Sequence, residues 1–196
     1  MTTSGRIASA ARKLLDKEGA DAVTTRRVAS AVGITPMALY RHYANRDGLL
    51  NALADAGFAD LTQRLAALKL TGSIDRRLVA ILDLYLDFAF ESPHLYELMF
   101  LTRREGARQY PEDFRRGTSP TANVAAGLIQ QAMDSGYFRK DDVWEIVFET
   151  GALQQGLMML YLGGRVAMSP VQFRTYCHRA FRRYFNGLRN SSPHVR

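Results

Sequence analysis

A single cysteine in 196 residues excludes an intrachain disulfide framework, and Cys177 on its own fits a chain kept in a reducing compartment. It reads as a packing residue rather than a nucleophile, because the adjacent His178 points in another direction on a helix. Nowhere do about 18 apolar residues follow one another without charge, so neither a membrane span nor a membrane partner is expected. Arg12 and Lys13 precede Leu14 and Leu15, which breaks the uninterrupted apolar segment an export signal needs. A cytoplasmic location is the expectation. Glycine-rich phosphate loops and the G-x-S-x-G elbow are missing. The histidines His42, His94, His178 and His194 stand in no metal-binding spacing with one another or with cysteine. His94 and Glu97 share a helix face, which reads as a contact at a helix start. No catalytic residues, metal or cofactor are expected, and no residue set argues for an enzyme.

What the chain does carry is positive charge, +7 overall with a pI near 9.8, which points to an anionic partner. The excess is uneven. Through Gly48, Arg6, Arg12, Lys13, Lys17, Arg26, Arg27, Arg41 and Arg46 face only Asp16, Glu18, Asp21 and Asp47. Charge alone fits a merely solvated surface; the stretch Thr24 to Tyr43 adds a motif. Thr24 or Thr25 is placed to cap a helix, Val28, Ala29 and Val32 share one face of it, and Gly33 supplies the left-handed residue that ends it. Ile34 plugs the turn. Thr35 then caps a second helix with Pro36 at its first position, where the missing N–H is no loss. Leu39 and Tyr43, four apart, anchor this helix over Met37 to Tyr43. Met37, Ala38, Arg41 and the polar tips of Tyr40 and His42 remain outside. That is a helix-turn-helix whose second helix suits a major groove; the bland alternative is an ordinary helical hairpin with surface charge.

These residues resemble the TetR family of transcriptional regulators. Its pattern is a Thr ahead of an apolar-Ala pair, an apolar-Gly-apolar turn, then Leu-Tyr-x-His-Phe and a Lys a few residues later. Thr24, Val28-Ala29, Val32-Gly33-Ile34, Leu39-Tyr40-Arg41-His42-Tyr43 and Arg46 follow it, with Tyr43 and Arg46 as mild departures, over roughly residues 6 to 55. The resemblance implies phosphate contacts from Thr25, Tyr40, His42 and Arg46. It places Arg26, Pro36, Met37, Ala38 and Arg41 at the base-reading positions, without saying which bases they read.

Along the chain, Ile7, Ala11, Leu14 and Leu15 mark an amphipathic helix over 5 to 18. A long helix runs from a cap at Asn45 to about Leu70 and joins the head to the larger helical domain. Later helices are expected from Ser73 or Asp75 to Ser92, over 94 to 102, over 122 to 135 with Gly136 behind it, over 141 to 162 and over 170 to 188. Residues 103 to 120 read as a mostly irregular loop. The fold expected is all-α with about nine helices: a DNA-binding domain over 1–48, a helical ligand-binding and dimerisation domain over 49–190, and a tail over 191–196.

Tyr85, Phe88, Tyr96, Met99, Phe100, Met133, Trp144, Phe148, Gln155 and Met159 are the candidates for a small-molecule pocket, with plain core as the alternative. Gln154 and Gln155 need partners if buried. The helix over 141 to 162 is apolar nearly all round, so one side calls for a second subunit, with a wholly intrachain core as the alternative. Leu157, Tyr161, Phe173, Tyr176, Phe181 and Tyr184 are the candidate dimer contacts, two helices per subunit about a two-fold axis. The expected function is that of a homodimeric regulator, a repressor released from a palindromic double-stranded DNA operator by an apolar or amphipathic effector. Regulation without a ligand, activation, and a helical small-molecule-binding protein stay open.

Overall fold

The computed structural model describes residues 2–190; the tail expected over 191–196, with His194, lies outside them. The fold is all-α, with ten helices among the described residues, one more than the nine expected. They are α1 (Thr3–Glu18), α2 (Thr25–Val32), α3 (Pro36–Tyr40), α4 (Arg46–Ala67), α5 (Ile74–Glu91), α6 (Pro93–Phe100), α7 (Glu112–Arg115), α8 (Pro120–Asp134), α9 (Val143–Leu162) and α10 (Pro170–Leu188). The extra one, α7, is a single turn inside the segment expected to be irregular, too short to leave a periodic apolar trace. Proline opens α3, α6, α8 and α10, as its fixed φ and missing donor favour. So Pro120 starts α8 instead of ending a loop. In turn α3 stops at Tyr40 and α4 at Ala67, three residues short of the ends expected for each.

Packing divides the chain into two units, Met1–Leu61 with Phe88–Ala107 and Thr62–Asp87 with Arg108–Arg196. This differs from a boundary after residue 48, because α6 groups with the head and the division falls inside α4 and α5. In the first unit Ile7, Ala11 and Leu15 of α1, Leu53, Ala54 and Leu61 of α4, and Leu95, Tyr96, Leu98 and Met99 of α6 are buried. Polar bonds tie the same elements together. Arg12 Nη2 donates to Ser92 Oγ at 3.0 Å, and Asn51 Nδ2 donates to the Glu105 carbonyl at 3.3 Å. Gly57 of α4 lies against α6, with Met99 Sδ 2.5 Å from the position a Cβ would take.

The second unit packs α8 on α9 and α9 on α10. Its interior includes Leu128, Ile129 and Met133 from α8, Ile146, Val147 and Met158 from α9, and Phe173, Cys177, Phe181 and Phe185 from α10. A capping box closes the start of α10, Ser169 and Gln172 each bonding the other's backbone N–H, which satisfies two orphan donors at once. Asp83 of α5 accepts from both Arg174 and His178 of α10 at 2.7 Å, and Arg174 also pairs with Asp87. No helix among the described residues is long and apolar enough to cross a membrane.

Candidate DNA-binding surface

The head is built by local chemistry that the chain carries within a few residues of each helix end. Thr24 Oγ1 accepts from Arg27 N at 3.3 Å and Thr35 Oγ1 from Ala38 N at 3.2 Å, each satisfying one of the donors a helix start leaves bare. Between them Gly33 sits at φ 73°, the left-handed conformation that side chains with a Cβ resist. Val28, Ala29 and Val32 are buried beneath α2 and Leu39 beneath α3. Tyr43 is half-buried, and its hydroxyl lies 3.3 Å from Ser4 Oγ on α1.

That inward set leaves a defined outward one. Arg26, Pro36, Met37, Tyr40, Arg41 and His42 are exposed, Met37 at 72%, while Thr25, Ala38 and Arg46 are half-buried. The arrangement offers a thioether, a phenol, a guanidinium and an imidazole on a five-residue helix and the turn behind it, a size and chemistry that fit a groove.

Three arginines have other work. Arg27 forks onto Glu18 through bonds of 2.8 and 2.9 Å, and that hydrogen-bonded pairing holds the Glu18 carboxyl below its ordinary range and raises Arg27. Arg6 Nη2 donates to the Val32 carbonyl at 2.7 Å, at the end of α2 just before the turn. Arg46 donates from Nε to the Val23 carbonyl at 2.9 Å and from Nη2 to the Ala20 carbonyl at 2.7 Å, with Asp21 and Asp47 at 3.6 and 3.9 Å. Its guanidinium therefore clamps the short 3-10 turn Ala20–Ala22 that leads into α2. Sequence reasoning did not find the Arg6 and Arg46 clamps, because their partners lie more than 20 residues away and are backbone carbonyls, which leave no pattern in side-chain identity.

The Arg46 geometry makes a measurable difference. Arg46→Ala removes two charge-assisted bonds at a partly exposed site, a loss of about 1–2 kcal/mol, and the thermal midpoint should fall by about 2–8 °C at ~2–4 °C per kcal/mol for a chain of this size. A residue acting on DNA phosphate alone would leave the midpoint unchanged and flatten the salt dependence of binding by about one phosphate.

The candidate pocket residues divide between the units. Phe88, Tyr96, Met99 and Phe100 belong to the first, where Tyr96 and Phe100 have ring centroids 4.7 Å apart and Phe58 meets Phe100 edge-on at 5.2 Å. Tyr85, Met133, Trp144, Phe148, Gln155 and Met159 belong to the second. There Tyr85 is half-buried and bonded to Thr121, and loss of water around it pushes its phenol up to about 12. Gln154 is buried and Gln155 half-buried. Two of the ten lie at the surface of their unit: Met159 is 53% exposed, and Phe148 is 43% exposed and stacks on Tyr110 at 4.2 Å. A cleft of about 440 Å³ in the second unit is lined by Asp75, Arg76, Val79, His178, Arg182, Phe185 and Arg189, none of them among the ten. No group of three or more His, Cys, Asp or Glu side chains is gathered to hold a metal among the described residues.

The candidate dimer contacts fall into two groups, two of them buried and four half-buried. Phe173 and Phe181 are 0% and 3% exposed within the single chain, so their rings serve its own core. Tyr161 stacks on Phe173 at 4.2 Å, and the Tyr184 hydroxyl donates to Glu149 at 2.7 Å, while Leu157 and Tyr176 are half-buried. The large apolar side chains exposed on or between α9 and α10 include Phe148, Met159, Leu160, Met168 and Val171. Apolar periodicity identified the stripes on these helices but not which of them the chain itself covers.

Comparison with known proteins agrees with this architecture. Residues 7–53 match the family model described as bacterial regulatory proteins, tetR family, and residues 78–184 match that of the tetracyclin repressor-like C-terminal domain. The class A tetracycline repressor from transposon 1721 of Escherichia coli is 32% identical over 137 residues, 70% of this chain and 57% of that protein. The chain thus spans somewhat more than half the length of the curated relatives it matches. A Rhodococcus sp. RHA1 protein of unknown function shares the fold with a TM-score of 0.76 at 23% identity, covering 97% of both chains. A TetR variant from Acinetobacter baumannii AYE, solved in complex with minocycline, does so with a TM-score of 0.68 at 19% identity, covering 97% of this chain and all of that one. With both family models matched in order and the helix-turn-helix where the first of them lies, the chain belongs to the TetR family of transcriptional regulators.

Proposed function

We propose that this regulator is a homodimeric repressor whose residues 1–48 form the DNA-binding head, and which leaves a palindromic operator when an apolar or amphipathic small molecule enters the helical domain. The observation that carries the reading is the two-sidedness of α3: Leu39 is fully buried while Met37 and Tyr40 are exposed, with Arg41 and His42 exposed directly behind them. Thr25, Tyr40 and His42 would hold phosphates, and Arg26, Pro36, Met37, Ala38 and Arg41 would face base edges. Arg46 supports them by fixing the turn before α2. A second copy would cover Met159, Leu160, Met168 and Val171, giving the two heads needed for two half-sites one helical turn or a multiple apart. The matched relative in Escherichia coli is named a tetracycline repressor, which favours repression here.

Release would be a population shift. α4 begins at Arg46 and continues as one helix into residues of the second unit, about 33 Å at ~1.5 Å per residue. An effector that binds more tightly when α4 is displaced favours head spacings that mismatch successive major grooves, so its differential affinity appears as lost DNA affinity.

Selection of bound sequences from random duplex DNA, followed by titration of the winner at several salt concentrations, tests the reading. An enriched inverted repeat supports a sequence-specific dimer; salt-sensitive binding with no motif would remove the operator. Arg41→Ala should weaken the selected site by about 1–3 kcal/mol for a bidentate base contact and barely change random duplex. Equal losses on both would take base reading away from Arg41.

A further inference from the structure

The cleft formed by the start of α5 and the last half of α10 holds a concentration of arginine that regulation through the head does not use. Asp75, Arg76 and Val79 come from α5, and His178, Arg182 and Phe185 from α10, with Arg189 just after it. Two of the basic groups are fixed parts of the wall. Arg189 donates to Asp75 at 2.7 Å and lies over the Tyr137 ring at 5.1 Å; His178 is held by Asp83 at 2.7 Å. The other two are different. Arg76 and Arg182 are exposed, and no carboxylate among the described residues pairs with either. Arg76 is nonetheless steered, since its stem runs over Gly72, where a Cβ would meet Arg76 Cδ at 3.2 Å.

Beneath these guanidiniums the floor is apolar. Val79 is half-buried, and Phe185 is 6% exposed and stacks on Phe138 at 5.9 Å. The lining carries Arg76, Arg182 and Arg189 against Asp75 alone, an excess of positive charge even with His178 neutral. Guanidinium forks match the two oxygens of a carboxylate or phosphate. A volume of about 440 Å³ lies in the range of small-ligand sites, which are apolar with a few placed polar groups. A bare sugar-phosphate backbone would have no use for the Phe185 floor.

We infer that this cleft is a second small-molecule site, taking an amphipathic anion whose acidic head is held by Arg76 and Arg182 and whose apolar body rests on Val79 and Phe185. It is separate from the effector pocket, as none of the candidate pocket residues lines it. Its occupancy would be independent of the operator and of the DNA-binding head.

Calorimetric titration of the full chain with octyl phosphate tests this, with octanoate, octanol and inorganic phosphate as comparison ligands. Saturable binding of octyl phosphate, one per chain, is expected, with octanol and inorganic phosphate each weaker by about tenfold or more. The tighter of octyl phosphate and octanoate identifies the head as phosphate or carboxylate. Arg76→Gln and Arg182→Gln should each lose about tenfold or more in affinity, the usual worth of a charge-assisted bond. Arg182→Lys, which keeps the charge without the fork, should recover part of that loss. Arg179→Gln, on α10 outside the cleft, should bind as the unaltered chain does, and circular dichroism melts establish that each variant folds. Equal binding of octanol, or affinities unmoved by both Gln variants, would overturn the site. Inorganic phosphate binding as tightly as octyl phosphate would overturn the amphipathic assignment.

Discussion

Phe173→Ala is expected to destabilise the chain by about 3–5 kcal/mol, the usual result of emptying a fully buried phenylalanine site. At ~2–4 °C per kcal/mol the thermal midpoint then drops by roughly 6–20 °C. The Phe173 ring is 0% exposed and stacked on Tyr161, so the missing atoms leave a cavity instead of a patch water can reach. The prediction separates a core residue from a subunit contact. Unfolding by urea at two protein concentrations, with sedimentation to follow the dimer, should show a loss of stability that is the same at both concentrations. A loss seen only as weaker dimerisation would return Phe173 to the interface. Val171→Ser is the contrasting substitution. Its side chain is 75% exposed, so the single chain should keep its stability within about 0.5 kcal/mol while the association of two copies weakens.

Gly57→Leu is expected to cost about 3 kcal/mol, the upper part of the range for overpacking a close contact, and to lower the midpoint by roughly 6–12 °C. A Cβ at Gly57 would stand 2.5 Å from Met99 Sδ and 3.1 Å from Leu95 Cδ2, so the longer side chain must push α6 away from α4. Gly57→Ala should behave differently. Met99 is flexible enough to swing aside, and alanine gains about 1 kcal/mol over glycine within a helix, so a change within about 1 kcal/mol is expected. Since the displaced contact lies in the unit that carries α2 and α3, DNA affinity of Gly57→Leu measured well below its melting range reports whether α6 holds the head in its binding geometry. Unaltered affinity in a destabilised but folded variant would make the α4 to α6 contact purely structural.

How much of this was legible in the sequence depends on how far apart the interacting groups lie. Thr24, Gly33, Thr35 and Pro36 act on backbone groups within four residues, so the order cap, helix, turn, cap, helix was readable from local chemistry, and so was the start of α4 at Asn45. The arginine clamps were not, because Arg6 and Arg46 reach carbonyls of Val32, Ala20 and Val23 that any residue presents. The helical stripes of α9 and α10 were also readable, but a stripe states only that something apolar must cover it. For Phe173 and Phe181 the cover is the same chain; Val171 is left outside. Methionine and aromatic content named nine pocket candidates and an amide in an apolar helix the tenth, Gln155, with no means of dividing them between two packing units. Residues Arg76 and Arg182 are over 100 positions apart, which left their shared cleft invisible until α5 and α10 were placed side by side.

The first unit is also discontinuous in the chain: Met1–Leu61 is completed only by Phe88–Ala107. On a ribosome, all of α1 to α3 has been made long before α6 exists, and until then Gly57 lacks the side chains of Leu95 and Met99 that pack against it. At ~5–20 residues per second the nascent head waits several seconds, plus the passage through the exit tunnel, before it can close its core. A fragment cut after α4 would stay permanently in that unfinished condition, so the helix-turn-helix of this protein is not a part that can be borrowed by ending a gene fusion at residue 67.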